Sequence, residues 1–190
     1  MVHYLYTPID KQDIMKLNTG DIVYLTGTVL TARDEAHKRI LEIAEKGKNL
    51  PFELNGSVVY HCGPLMKKDN GGWDVVAAGP TTSSRMSGMT PELLEKFNVR
   101  ALVGKGGMQN VSDSMKNRCV YLAYTGGCAA LAVESIKKVS NVYWLDLGMP
   151  EAVWELEIKN FGPLIVGIDA KGNDLYSEIT ERAKKMFLNI

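Results

Sequence analysis

The chain has 190 residues, of which 45% are hydrophobic and 23% are charged, and these values are ordinary for a globular protein with one core. Its 22 basic and 22 acidic side chains leave no net charge, and no Lys/Arg-rich run is present, which argues against nucleic acid as a partner. The sequence has neither a signal-peptide pattern nor an apolar stretch of membrane-spanning length, so it predicts a cytoplasmic protein with no membrane partner.

The first half of the chain predicts strands that end in glycine turns. In DIVYLTGTVLTARDEAHKRILEIAEKGK we expect a strand around residues 21 to 25, a turn at Gly27 and a helix from about Asp34 to Lys46. Farther on, two apolar segments flank the sequence DNGG at residues 69 to 72, which is a strong turn signal. These segments therefore predict a β-hairpin.

The second half repeats the pattern of a strand, a glycine loop and a helix. WDVVAAGPTTSSRM and VRALVGKGGM each predict a strand and a loop, and RCVYLAYTGGCAALAVESIKKV predicts a strand, a break at residues 126 to 127 and a helix. The tail predicts two strands, a turn at residues 171 to 173 and a helix with apolar positions at helical spacing: Leu175, Ile179, Ala183 and Met186. We therefore predict an α/β fold, a mixed sheet layered with helices, in a single domain spanning residues 1–190.

The segment TARDEAH suggests the first candidate binding residues. Thr31 and Asp34 have the spacing of a capping box, which predicts a helix N-terminus here. Arg33 then faces the positive end of the helix dipole, an unfavourable position unless an anion binds nearby. His37 lies four residues later on the same helix face. A surface arginine that bonds Asp34, with His37 as a half-exposed helix residue, explains the spacing equally well.

Two later loops also contain a cation. In GPTTSSR, hydroxyl groups and free N–H groups at a strand end can form an anion nest, and Arg85 can bind a carboxylate with two hydrogen bonds. A solvated turn often has the same composition. In VGKGGMQN, glycines on both sides of Lys105 allow the backbone to approach a ligand, but the segment is neither a Walker A loop nor a complete GxGxxG motif.

Loops at strand ends converge in layered α/β folds, so we expect Arg33, Arg85 and Lys105 to lie close together. Three cations without matching local acids suit a small dianion such as a dicarboxylate. The sequence therefore predicts an anion site at one edge of the sheet.

The cysteines do not indicate a metal site in this chain. Cys62, Cys119 and Cys128 have neither CxxC spacing nor the pattern of a disulfide framework. Cys62 and Cys119 lie in apolar strands and are predicted to be core residues. Cys128, at a predicted helix start, is a minor candidate for a reactive thiol.

Four motifs in this order resemble the β subunit of the iron–sulfur-dependent class I fumarate hydratases and of the similar L(+)-tartrate dehydratases. They are YLTGTVLTARDEAHKR, GPTTSSRM, VGKGGM and LGMPEAVWELEIKNFGPLIVGIDAKGNDLY, and the resemblance extends from about Thr7 to Tyr176. It implies a swivelling β/β/α domain. It also implies a separate α subunit, in which three cysteines hold a [4Fe-4S] cluster. The two chains are then expected to form a hetero-oligomer.

The resemblance also assigns roles to residues at matching positions. It implies that Arg33, Arg85 and Lys105 bind the substrate carboxylates and that Thr81, the first threonine after Gly-Pro, is the catalytic base. His37 matches a histidine proposed as an active-site residue in relatives, although its spacing also suits a supporting role.

The implied reaction is the reversible hydration of fumarate to L-malate by a hydro-lyase that is active only with its α subunit. The same chemistry on L(+)-tartrate is the nearest alternative, because the motifs are shared. A non-catalytic module that binds a small anion is a further alternative, and it would need the cations without needing Thr81.

Overall fold

Most of the predicted strands and helices are present, although the predicted helix that follows residue 127 ends at Ser135 and a strand begins at Ile136. In the computed structural model, which describes residues 1–69 and 71–188, the strands are β1 (Val2–Tyr6), β2 (Ile22–Thr31), β3 (Val58–Tyr60), β4 (Leu65–Asp69), β5 (Gly72–Ala77), β6 (Ala101–Gly104), β7 (Val120–Ala123), β8 (Ile136–Tyr143) and β9 (Val153–Ile168). The α-helices are α1 (Lys11–Met15), α2 (Asp34–Glu45), α3 (Thr90–Lys96), α4 (Ser112–Met115), α5 (Ala129–Ser135) and α6 (Leu175–Leu188). Short 3₁₀ helices cover Ser83–Met86 and Leu145–Leu147.

The main sheet is mixed, which confirms the predicted α/β fold with a mixed sheet layered with helices. Its strand order is β1-β2-β3-β6-β7-β9-β8, and a further pairing of β2 with β9 closes β2, β3, β6, β7 and β9 into a ring. The pairs β1–β2, β2–β3, β3–β6 and β6–β7 are parallel, whereas β9 is antiparallel to β2, β7 and β8. Strands β4 and β5 form the expected hairpin, although Asn70 of its predicted turn lies outside the described residues.

The central parallel strands β3, β6 and β7 are covered on both faces, and their side chains alternate between two hydrophobic clusters. On β6, Ala101 and Val103 belong to a cluster with the inner face of β9, whereas Leu102 packs with α2 and α3. On the neighbouring strand β7, Tyr121 points to the helix side as Leu102 does. Burying each large apolar side chain stabilises the fold by about 1.5–3 kcal/mol relative to exposure. This two-sided burial explains why these strands are continuous apolar runs.

The predicted turn at Gly27 is wrong, because β2 continues through this residue. The pairing of β2 with β9 shifts register between Val23 and Leu25 and again between Leu25 and Gly27, so the strand bulges instead of ending. Gly27 has a φ of +120°, and a Cβ there would overlap Thr7 Oγ1. Glycine is thus required for backbone conformation and for a close approach, two features that resemble a turn in sequence.

The tail contains one 16-residue strand, β9, instead of the two strands that the sequence predicts. Different parts of β9 pair with β8, β2 and β7, which explains its length. Helix α6 follows as predicted, but none of its residues is buried; Ile179 is 55% and Met186 is 70% exposed. None of the helices in the described part of the chain combines the length and the apolar composition that a membrane span requires.

Candidate active site

The carboxyl ends of parallel strands form one edge of the sheet. Strands β2, β3, β6 and β7 run in the same direction, so their last residues lie at this edge. Arg33 follows β2 by two residues, His61 comes directly after β3, and Lys105 comes directly after β6. The fold therefore places the loops of two predicted cations at the same edge, on either side of the end of β3.

The loop that contains Thr81 is held at this edge by main-chain hydrogen bonds. The N–H of Thr81 donates to the carbonyl of His61 at 2.6 Å, and the N–H of Lys105 donates to the carbonyl of Thr81 at 3.1 Å. The N–H of Ser83 then donates to the carbonyl of Lys105 at 3.0 Å. Thr81 thus lies between the ends of β3 and β6, next to Lys105.

The helix N-terminus at Asp34 is confirmed, but the predicted capping box is wrong. Arg33 occupies the N-cap position and its side chain makes no capping hydrogen bond, but the carboxylate of Glu151 accepts from the first-turn N–H of Glu35 at 3.1 Å. The hydroxyl of Thr31 is used elsewhere, because it accepts a hydrogen bond from the N–H of Trp154 at 3.0 Å and lies 3.4 Å from the carbonyl of Ala152. The Thr31 hydroxyl therefore bonds β9 instead of α2, and a first-turn N–H of α2 is satisfied by Glu151, more than a hundred residues away in the sequence.

His37 is fully buried and not half-exposed, and it contacts Arg33 directly. Its Nδ1 lies 2.8 Å from the carbonyl oxygen of Arg33, so this nitrogen is the protonated one and donates to the carbonyl. Burial lowers the pKa of His37, against smaller raising effects of this hydrogen bond and of Asp34. A neutral imidazole therefore donates a hydrogen bond to the main chain at Arg33 and fixes its position.

Both arginines have acidic partners, so the expectation of cations without matching local acids is wrong for them. Arg33 Nη2 lies 3.3 Å from Glu151 Oε1. Arg85 contacts Asp34 at two points, with Nη2 2.7 Å from Oδ2 and Nε 3.1 Å from Oδ1. Glu151 comes from the turn before β9, and Asp34 was predicted to act at the helix terminus, so sequence spacing alone did not show either pair. The Arg85 side chain is 49% exposed and remains accessible.

Glycine lets Arg33 lie flat against the edge of the sheet. A Cβ at Gly63 would overlap the Arg33 guanidinium, lie 2.8 Å from its Cδ and lie 2.8 Å from the carbonyl of Pro150. Any larger residue would displace the arginine. The guanidinium is therefore fixed by packing as well as by Glu151.

Lys105 lines a cavity of about 510 Å³ together with Thr82, Tyr124, Thr125 and Tyr176. In the described part of the chain, no carboxylate oxygen lies within 4 Å of its ammonium group.

The structure brings Arg33, His37 and Arg85 together through side-chain contacts, because both arginines approach Asp34. It joins Lys105 and Thr81 to each other through main-chain hydrogen bonds.

His61 is a residue of this edge that the sequence analysis missed. Its ring is fully buried, packs edge-on against His37 with 5.3 Å between ring centroids, and has Nδ1 2.8 Å from Ser83 Oγ. Burial and the neighbouring His37 lower the pKa of His61 well below its usual value. The available signal was its position directly after an apolar strand, which matches the position of Lys105.

The cysteines of this chain do not fit an iron–sulfur cluster. Cys62 and Cys119 are buried in different hydrophobic clusters, and burial raises the pKa of each thiol to about 12, whereas a cluster ligand is a thiolate. The Cys128 thiol donates to the carbonyl of Thr125. Among the described residues, no three His, Cys, Asp or Glu side chains are grouped so that they could hold a metal ion.

The fold and the site define a mixed α/β domain with a cationic, hydroxyl-containing edge formed by strand ends. Residues 3–179 match the family described as Fumarase C-terminus. Because this match covers most of the chain, the protein belongs to that family, and the resemblance seen in the four motifs is confirmed.

Individual relatives agree with the family. A Methanocaldococcus jannaschii protein with the provisional name L(+)-tartrate dehydratase subunit beta is 51% identical over 184 residues, which cover 95% of this chain and 94% of the relative. The L(+)-tartrate dehydratase subunit beta of Escherichia coli is 40% identical over 189 residues, or 98% of this chain and 90% of the relative. A Geobacillus stearothermophilus protein provisionally named fumarate hydratase class I is 41% identical over 178 residues, which cover 92% of this chain but 34% of that relative.

Proposed function

We propose that the chain is the β subunit of a hydro-lyase that reversibly hydrates fumarate to L-malate. The observation that supports this most directly is the position of Thr81, which main-chain hydrogen bonds fix between His61 and Lys105 at the edge that also carries Arg33 and Arg85. The alternative is a β subunit that dehydrates L(+)-tartrate, which is the activity named for the Escherichia coli relative.

The reaction requires stabilisation of negative charge. When malate becomes fumarate, a hydroxyl leaves one carbon and a proton leaves the neighbouring carbon, which is next to a carboxylate. That proton is weakly acidic, so the transition state places additional negative charge on the carboxylate. We assign the stabilisation of this charge to Arg33, Arg85 and Lys105.

We assign the removal of the carbon-bound proton to Thr81. A threonine hydroxyl is a weak base unless nearby cations favour its alkoxide form. The main-chain hydrogen bond that joins Lys105 to Thr81 and the accessible side chain of Arg85, four residues after Thr81, support this role. His37 has no exposed surface and contacts the carbonyl of Arg33, so we assign it the role of positioning Arg33.

The rest of the active site belongs, in this proposal, to an α subunit. The cysteines of this chain do not fit a [4Fe-4S] cluster, so we propose that the α subunit holds it and that the two chains form a hetero-oligomer in the cytoplasm. The purified β chain alone should then show neither stoichiometric iron–sulfur absorbance nor hydratase activity. Cluster absorbance in this chain by itself would contradict the assignment.

The experiment that tests the proposal is anaerobic kinetics of the enzyme co-expressed with its α subunit. Thr81→Ala and Arg85→Ala should each lower turnover by about a hundredfold or more while assembly is retained. Arg39→Ala is a matched control, since Arg39 forms a similar two-point ion pair with Asp146 away from the site and should leave turnover unchanged. Near-normal turnover of Thr81→Ala or Arg85→Ala would refute the assigned roles.

Comparison of substrates separates the alternatives. The higher kcat/KM on fumarate and malate, or on L-tartrate, identifies the substrate class. A non-catalytic anion module would show no turnover of any of the three acids, and its dicarboxylate affinity would fall in Arg85→Ala but not in Thr81→Ala.

A further inference from the structure

Three buried side chains connect the loop of Thr81 with the loop of Lys105. His61 Nδ1 lies 2.8 Å from Ser83 Oγ, Ser83 Oγ lies 3.1 Å from the Tyr121 hydroxyl, and that hydroxyl lies 2.7 Å from the carbonyl oxygen of Gly106. His61, Ser83 and Tyr121 are all completely buried. None of them has a role in the proposed reaction described above.

The direction of these hydrogen bonds follows from the number of protons. The carbonyl of Gly106 can only accept, so the single proton of the Tyr121 hydroxyl goes to that carbonyl, at the shorter distance. Tyr121 must then accept from Ser83, and Ser83 must accept from His61 Nδ1–H. Each proton has one acceptor, and the series of hydrogen bonds runs from His61 through Ser83 and Tyr121 to Gly106.

The alternative arrangement is less favourable. If Ser83 donated to His61 Nδ1, the proton of His61 would lie on Nε2, which is buried and has no partner in the described structure. A buried N–H without an acceptor costs about 1–3 kcal/mol. The tautomer with the proton on Nδ1 leaves Nε2 as an unpartnered acceptor, but it supplies a proton to each of the three contacts, whereas the alternative leaves either the Ser83–Tyr121 or the Tyr121–Gly106 contact without one. The neutral ring then resembles His37, which also donates from Nδ1.

This series of hydrogen-bonded side chains is attached to the proposed active-site loops at both ends. The carbonyl of His61 accepts from the N–H of Thr81, which fixes the proposed base. At the other end, the N–H of Ser83 donates to the carbonyl of Lys105, and Tyr121 donates to the next carbonyl along the loop. The three residues therefore contact the main chain of Thr81 and the successive carbonyls of Lys105 and Gly106.

We propose that His61, Ser83 and Tyr121 are positioning residues, which hold Thr81 and Lys105 at a fixed separation for proton removal and charge stabilisation. This inference rests on the proposed function. All three are completely buried, and they act through the main chain of Thr81, of Lys105 and of Gly106, which follows Lys105. A displacement of about 1 Å in such a constellation costs up to about a hundredfold in rate, so a single missing hydrogen bond is sufficient to be measured.

Tyr121→Phe and Ser83→Ala test the proposal in the co-expressed two-subunit enzyme. Each variant should lower kcat/KM by about tenfold to a hundredfold, with the larger part of the loss in kcat, because a misplaced base and lysine lose interactions that strengthen in the transition state. The double variant should lose less than the product of the two single losses, because both changes interrupt one chain.

Tyr143→Phe is the matched control. It also removes a phenolic oxygen, but this oxygen bonds Glu155, at a distance of 2.9 Å, and lies away from the site. The variant should therefore leave kcat and KM within about twofold of wild type. If Ser83→Ala does not assemble, Tyr121→Phe decides alone, since it removes a single atom and keeps the ring. A purely structural role would lower the melting temperature and leave kcat and KM of the assembled enzyme unchanged.

Kinetic parameters within twofold of wild type in Tyr121→Phe would overturn the proposal, as would single losses that simply multiply in the double variant. These outcomes differ from failure of the proposed function. That function fails if Thr81→Ala turns over normally, whereas the positioning proposal fails if Tyr121→Phe does so in an enzyme that Thr81→Ala inactivates.

Discussion

Gly104→Ala should disturb the lysine loop without touching any proposed catalytic atom. Gly104 is the last residue of β6, and a Cβ there would overlap Ser83 Oγ and lie 3.2 Å from both Cβ and Nδ1 of His61. The backbone of Gly104 has no positive φ, so lack of space is the reason for glycine. The serine hydroxyl must therefore move, and its bonds to His61 and Tyr121 are lost.

The size of the effect follows from these contacts. Two net hydrogen bonds of about 1 kcal/mol each give about 2 kcal/mol, which agrees with the usual cost of about 1–3 kcal/mol for overpacking. In a chain of this length, about 2 kcal/mol lowers the melting temperature by roughly 4–8 °C. We expect a loss of turnover in the assembled enzyme as well, since Ser83 no longer fixes the loop of Lys105.

Circular dichroism melting of the purified chain measures the stability, and anaerobic kinetics of the complex measures the activity. Gly88→Ala is the control, because a Cβ at Gly88 would meet no atom within 4 Å and its φ is not positive. In the double variant Gly104→Ala/Ser83→Ala the overlapping atom is gone and only the 3.2 Å contacts with His61 remain, so adding Gly104→Ala should lower the melting temperature less in the Ser83→Ala background than in the wild type. A melting temperature for Gly104→Ala within 1 °C of Gly88→Ala would refute the packing argument.

Further predictions concern pH and the tail helix. Because the pKa values of buried His37 and His61 are lowered, the unfolded chain binds more protons below about pH 6.5, and stability should fall as the pH drops toward 5. Urea unfolding at several pH values gives the free energy of unfolding as a function of pH. The slope of this free energy against pH should be smaller in His61→Gln than in wild type, by up to about 1.4 kcal/mol per pH unit. An unchanged slope would show that His61 does not take up a proton on unfolding. Ile179→Gln and Met186→Gln should each shift the melting temperature of the isolated chain by less than about 2 °C, since both side chains are exposed; a larger shift would mean that these two side chains pack against the rest of the chain.

Local patterns in the sequence predicted the elements that local interactions determine. The apolar run of β6 and the glycine loop around Lys105 were recognisable, because a strand that is buried on both faces has no polar residues to interrupt it. Helix α6 was likewise visible from its spacing. Its exposure was not, since periodicity shows that a face is apolar and does not show what covers that face.

The failed predictions share a physical cause, which is contact between distant parts of the chain. Thr31 has the sequence of a cap, yet Trp154 uses its hydroxyl. Gly27 has the sequence of a turn, yet Thr7 requires it within a bulged strand. His61 was passed over because nothing near it in sequence indicates Ser83 and Tyr121 as neighbours. Contacts of this kind are set by topology, and a single sequence does not contain them explicitly.

The acids beside the arginines change the charge that the site offers to a substrate. Arg85 uses Nε and Nη2 on Asp34, which leaves other guanidinium donors for a second carboxylate, so Asp34 orients the side chain without occupying it completely. With Arg33 paired to Glu151, the three cations and two carboxylates of the site leave one net positive charge. A dicarboxylate has two negative charges, so in the proposed function this edge would neutralise one of them. In a two-subunit active site, the second charge has to be met by the surface that closes over this edge, and we expect that surface to be cationic.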